Sequence, residues 1–308
     1  MTANAMVAGY QTEAYALSLA EFGTPLRLPR SGGWLIERAI GNLPYRDAMG
    51  CYPFFSCSNW SALKADLDDL ATDLVSISMV TDPFGQYTED ELRRCFNEKA
   101  IPYKSHFIAD LDQSAQKSVS KHHRYYAQRA LADINVERCP DPSQHLDEWV
   151  SLYDGLVTKH RLSGIKAFSR RAFAAQLKIP GIIMLRATHD DRPIAAHLWY
   201  KQGDVIHSHL AASTALGYEA MASYGIYWSA LEMFAGEARW LNFGAGAGLS
   251  DKDATGLANF KKGWASETRT AYFCGHIYDR LRYTEALNAS RLADSEYFPA
   301  YRYGEMSS

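Results

Sequence analysis

Apolar and polar positions along the first hundred residues predict short elements separated by turns. Trp34–Ile40 reads as the first strand. Leu63, Leu67 and Leu70 recur at helical spacing and predict a helix over 61–71. Leu74–Val80 alternates, is rich in β-branched residues, and is predicted as a strand stopped by Asp82-Pro83. Thr88 with Glu91 three residues on forms a capping box and predicts a helix from Thr88 to Phe96. A short helix is expected near 13–21, a Pro-punctuated loop over 25–29, and a loop at Tyr52-Pro53-Phe54-Phe55.

From residue 105 the pattern is more regular. Strands are predicted over 105–111 and 135–138, around a basic amphipathic helix over 114–133 carrying Lys117, Lys121, His122, His123, Arg124 and Arg129. Asp141-Pro142 then breaks the chain and marks the expected domain boundary, giving domains 1–140 and 141–308. Helices follow over 146–160 and 169–177. Strands follow over 181–188, 194–200 and 205–211, the last two joined by a hairpin at Gln202-Gly203-Asp204. A long helix over 219–235, a strand over 240–244, a helix over 255–264 and a strand over 269–277 complete the pattern. This order, an antiparallel meander followed by βα units, predicts an α/β (α+β) fold with a mixed sheet flanked by helices, distinct from the alternating βαβ of a doubly wound fold.

Composition narrows the classes. The 308 residues carry a net charge of −3, 47% hydrophobic and 22% charged residues, as expected of a folded globular chain that is not globally basic. The five cysteines are scattered and odd in number, which fits reduced thiols and a cytoplasmic protein; Cys51 and Cys57 lack the second close pair of a metal site. No window approaches the roughly 20 apolar residues of a membrane span.

Two stretches carry a family likeness. Trp240-Leu241-Asn242-Phe243-Gly244-Ala245-Gly246 is followed by Gly256-Leu257-Ala258-Asn259-Phe260-Lys261-Lys262-Gly263-Trp264. A strand, a Gly-rich bend and then Leu-x-x-Phe-Lys-x-x-aromatic resembles the FemAB-like branch of the GNAT acyltransferase superfamily. The run 206–213, the long helix through Tyr227-Trp228 and the basic helix around 119–126 are similar to segments of that family. The likeness covers about 105–280. It implies a complete GNAT-like acyltransferase domain in the second half, preceded by a degenerate GNAT-like one. It also implies an N-acyltransferase that moves an acyl group from a thioester donor (acyl-CoA or acyl carrier protein) to an amine. The alternatives are an aminoacyl-tRNA-dependent peptide-bond former and a non-catalytic GNAT-like binding module. No bound cofactor is required, because the acyl donor enters as a co-substrate.

The resemblance assigns Lys261 to the oxyanion of the transferred carbonyl, as the lysine of the Phe-Lys motif. His207 and His209, two apart on one predicted strand, share a face and are candidate bases, with His197 on the neighbouring strand as a possible third member. The strand-to-helix turn offers Ser213, Thr214 and Gly217 as a donor-phosphate cradle, although the Gln/Arg-x-x-Gly-x-Gly/Ala loop of coenzyme-A-binding members is absent. Asp82, Tyr87, Arg124 and Phe260 are candidate substrate contacts, and the basic helix offers charges for tRNA phosphates. Gly244-Ala245-Gly246-Ala247-Gly248 lacks the spacing and the βαβ context of a dinucleotide loop; it is expected to form a bend over the cleft, with Ser250-Asp251-Lys252-Asp253 beyond it.

Overall fold

The computed structural model describes residues 7–114, 118–246, 255–292 and 296–305. Lys117 and the stretch holding Ala247, Gly248 and Ser250-Asp251-Lys252-Asp253 lie outside them. Internal packing divides the chain into two compact units: residues 1–9, 104–162 and 169–269, and residues 10–103, 163–168 and 270–308. Asp141-Pro142 falls inside the first unit, because β6 (Asn135–Arg138) pairs antiparallel with β7 (Ile182–His189) across it.

The first unit is a mixed sheet in the order β5-β10-β9-β8-β7-β6. Its other strands are β5 (Lys99–Asp110, from Lys104 on), β8 (Arg192–Gln202), β9 (Val205–Ser213) and β10 (Trp240–Asn242). β6 to β9 run antiparallel, β9 and β10 run parallel, and β10 and β5 run antiparallel.

Helices cover both faces. On one face lie α4 (Lys121–Asp133), α8 (Ala222–Phe234) and α9 (Thr255–Lys262), around Trp199, Tyr227, Phe234, Phe243 and Trp264. On the other lie α5 (Leu146–His160) and α6 (Arg170–Gln176), whose Trp149, Tyr153 and Phe173 pack edge to face. A five-residue helix, α7 (Ala215–Glu219), links β9 to α8.

Local signals set the ends of these elements. The hydroxyls of Ser120, Ser169 and Thr214 accept backbone N–H bonds at the starts of α4, α6 and α7, meeting donors that the first turn leaves free. α5 ends at Arg161 in the left-handed conformation.

The second unit holds the order β1-β2-β3-β4-β11: β1 (Thr24–Arg27), β2 (Trp34–Ala39), β3 (Arg46–Gly50), β4 (Ser76–Val80) and β11 (Glu267–Ile277, from Thr270 on). With it are α1 (Glu13–Ser18), α2 (Leu63–Asp69), α3 (Glu89–Cys95) and α10 (Arg280–Ser290). Both arms of the Thr88–Glu91 capping box are formed. The buried Asp47 of β3 accepts from Arg38, from Arg302 and from the Tyr301 hydroxyl, fastening the end of the chain to the sheet.

Candidate active site

The site grows from two defects in regular strand pairing. β8 and β9 pair from Gln202↔Val205 to Trp199↔Ser208, and the register then shifts to Leu198↔Leu210. His209 is the extra residue of a β-bulge, which bends β9 and disturbs the ladder there. On the other side, β10 pairs with β9 only over Trp240↔Val205, Leu241↔Ile206 and Asn242↔His207. The chain after Asn242 turns to β5 instead: Phe243 N–H bonds Phe107 O at 2.9 Å, and Phe107 N–H bonds Gly244 O at 3.1 Å. Two parallel strands therefore part at His207/Asn242 while β9 continues to Ser213.

Lys261 sits beside this parting. It projects from α9, is half-buried, and donates from Nζ to Ala245 O at 2.7 Å. Burial disfavours the cation and lowers its pKa to about 8. His106 on β5 and His197 on β8 are pushed down to about 3 by burial, and the Lys261 charge contributes in the same direction.

Below the parting runs a buried polar row. Asn242 is 1% exposed and lies between two imidazoles. Its Oδ1 is 3.1 Å from His106 Nδ1, its Nδ2 is 3.1 Å from His207 Nδ1, and its Oδ1 also accepts from Gly244 N–H at 2.8 Å. His209 continues the row, with its ring 5.0 Å from Tyr200 and Nε2 3.4 Å from Gln176 Oε1.

The register places His207 and His209 on one face, the one bearing Tyr200 and Asn242. His197 does not join them: two residues from Trp199, it faces α8, its ring 5.4 Å from Tyr227. Burial lowers both His207 and His209 to about 3, so both are neutral and weakly basic at neutral pH.

The turn proposed as a phosphate cradle is occupied by its own bonds. Thr214 Oγ1 accepts from Gly217 N–H at 3.0 Å and donates to Ile194 O at 3.2 Å. A Cβ on Gly217 would lie 2.3 Å from Ile194 O, so the glycine is needed for close backbone packing. Ser213 ends β9 opposite Ala195.

Phe260 belongs to an aromatic cluster with His123, Tyr224, Tyr227 and Trp264. Arg124 is half-buried on α4. Asp82 and Tyr87 lie together in the second unit: Asp82 accepts from Ser56 Oγ at 2.8 Å and Phe84 N–H at 2.9 Å, and the Tyr87 hydroxyl donates to Asp82 O at 3.0 Å.

Sequence reasoning gave no role to His106, Asn242 or Tyr227, whose hydroxyl is close to Ser208 beside the bulge. A lone polar residue inside an apolar strand, such as Asn242 in Trp-Leu-Asn-Phe, was the available signal.

No family model matches the chain, and no curated protein matches it. Solved structures do. FemX is similar at 14% identity over 92% of this chain and 95% of that one, with a TM-score of 0.67. The C-terminal domain of a putative lysylphosphatidylglycerol synthetase from Agrobacterium fabrum is similar at 13% identity over 91% of both chains, with a TM-score of 0.65. The chain has a FemX-like fold. L-PGS from Bacillus licheniformis, 13% identical over 93% of this chain and 98% of that one, has a TM-score of 0.58. At these identities the likeness is one of fold. No helix among the described residues is long and apolar enough to cross a membrane.

Proposed function

We propose that the chain is an acyl or aminoacyl transferase working from its first unit, moving an acyl group from an activated ester or thioester to an amine by direct attack. The amine nitrogen bonds to the carbonyl carbon, the C–O or C–S bond breaks, and the amine proton leaves with the departing alcohol or thiol. The observation that carries this reading is an ammonium held where two parallel strands part. A carbonyl entering the parting would meet Lys261 as charge develops on its oxygen, in surroundings that strengthen the attraction. With a pKa of about 8 the lysine is cationic at neutral pH, as that role requires.

Two observations favour an aminoacyl ester on tRNA over an acyl-CoA or acyl carrier protein as donor. The 213–217 turn spends its hydroxyl and its glycine on its own backbone, which leaves little for a pyrophosphate. The exposed face of α4 carries Lys121 and Arg129, which suit a phosphate backbone. One of the similar solved structures also bears the name of a putative lysylphosphatidylglycerol synthetase, whose product contains an aminoacyl group.

Thermal-shift measurements with charged tRNA, acetyl-CoA, longer acyl-CoAs and acyl carrier protein, followed by transfer assays, test the reading. Charged tRNA should raise the melting point, less so at high salt, and Lys261→Ala should abolish transfer while binding persists. A thioester that binds instead reassigns the donor. Full transfer by Lys261→Ala, or no shift with any donor, overturns the proposal.

A further inference from the structure

We infer that Asn242 is a positioning residue for Lys261, locking the bend whose carbonyl holds the lysine's Nζ. The inference rests on reading Lys261 as the ammonium of the transfer reaction.

The chain of contacts is short. Gly244 N–H can only donate, so the Asn242 atom facing it at 2.8 Å is the amide oxygen. That fixes the amide's orientation. The same oxygen then accepts from His106 Nδ1–H, and the amide nitrogen donates to the bare Nδ1 of His207, which carries its proton on Nε2. Asn242 is thus held by histidines from β5 and β9 and in turn holds Gly244, whose φ of +78° favours glycine. The next residue, Ala245, presents its carbonyl to Lys261 at 2.7 Å.

From the other side, His123 of α4 fixes the helix that bears the lysine. Its Nε2–H donates to Phe260 O at 2.9 Å, and its Nδ1 accepts from the Ser120 hydroxyl at 2.7 Å. The titratable groups near Lys261 therefore come from several elements: His106 on β5, His197 on β8, His207 on β9 behind Asn242, His123 on α4 and Tyr227 on α8. Lys104 adds a further charge that acts on His106, and Lys262 is exposed. Buried neutral imidazoles suit this place, because they support the amide without adding charge beside the ammonium.

The test reads Lys261 itself. The full chain, as wild type, Asn242→Asp and Asn242→Ala, is acetylated with limiting acetic anhydride across a pH series, and modification of Lys261 is quantified by mass spectrometry. Asn242→Asp keeps the acceptor for Gly244 and places a carboxylate near the cation, so Lys261 should titrate about one pH unit higher. Asn242→Ala releases the bend; Lys261 should titrate closer to an ordinary lysine, and kcat should fall about 10- to 100-fold with little change in donor KM. Unchanged Lys261 titration in both folded variants overturns the inference. Should neither variant fold, nitrogen NMR of the wild-type imidazoles decides: protons on His106 Nδ1 and His207 Nε2 support it, and the opposite tautomer at either overturns it. The labelling needs no turnover, so this inference and the transferase reading fail separately: an inactive Lys261→Ala enzyme with Asn242-independent titration sinks only the inference.

Discussion

Replacing Lys261 by Met should make the protein more stable and inactive. The pKa of Lys261 falls from 10.5 to about 8 in the folded chain. That difference corresponds to about 3 kcal/mol spent keeping the ammonium in its half-buried site at neutral pH. Methionine has a similar length and no charge to desolvate, but it forfeits the bond to Ala245 O. A charge-assisted bond contributes roughly 1.5–3 kcal/mol, but the lowered pKa already reflects the balance between bond and burial. The net gain expected at pH 7 is therefore about 1–3 kcal/mol.

The sign follows from proton counting. Below pH 8 both folded and unfolded wild type hold the proton, and the full penalty applies. Between 8 and 10.5 the unfolded chain binds more protons, so wild-type stability rises with pH. Urea unfolding of wild type and Lys261→Met at pH 7 and pH 10 measures this. The variant's advantage should be present at pH 7 and mostly gone at pH 10, because other titrating groups cancel in the difference. A variant less stable by the same amount at both pH values would refute the idea that the site holds its cation against burial.

Other outcomes follow from the same geometry. Transfer should be lost as pH rises through about 8, where Lys261 gives up its proton, and Lys261→Arg, if active, should abolish that alkaline limb in a pH–rate profile. Gly263→Ala would place a Cβ 2.1 Å from His123 Cε1, on a ring pinned by Ser120 and Phe260, and should cost about 1–3 kcal/mol in denaturant unfolding. Thr214→Val should cost about 0.5–2 kcal/mol through the lost cap of α7 while leaving donor affinity unchanged by isothermal titration; a collapse of affinity would return that turn to the donor site. Asp47→Ala removes the fully buried carboxylate shared by Arg38 and Arg302, leaving them Glu305, and should cost about 3 kcal/mol, read as a lower thermal midpoint.

What the sequence determined alone is what neighbouring residues decide. The β6 strand at 135–138 and the α5 helix at 146–160 form over the residues that their patterns predict, and Thr88 with Glu91 starts α3. Lys261 was named from a short motif, and its bond to Ala245 O came only with the fold. Tertiary structure decided the rest. Residues 25–29 were read as a Pro-punctuated loop, but 25–27 belong to the edge strand β1 (Thr24–Arg27), where the missing N–H of Pro25 is tolerated. Arg46–Gly50 carries no strand signal in its first two residues. It is β3 because Asp47 finds Arg38 nine residues away and Arg302 far along the chain.

The break at Asp141-Pro142 is equally real as a local signal, yet β6 pairs with β7 across it. The site shows the same divide. The residues that hold Lys261 come from β5, β9, β10 and α4, and the bulge at His209 exists only in the register between β8 and β9. Spacing along a chain fixes which side chains share a face. Which faces meet, and where two strands stop pairing, depends on bonds between residues far apart in sequence.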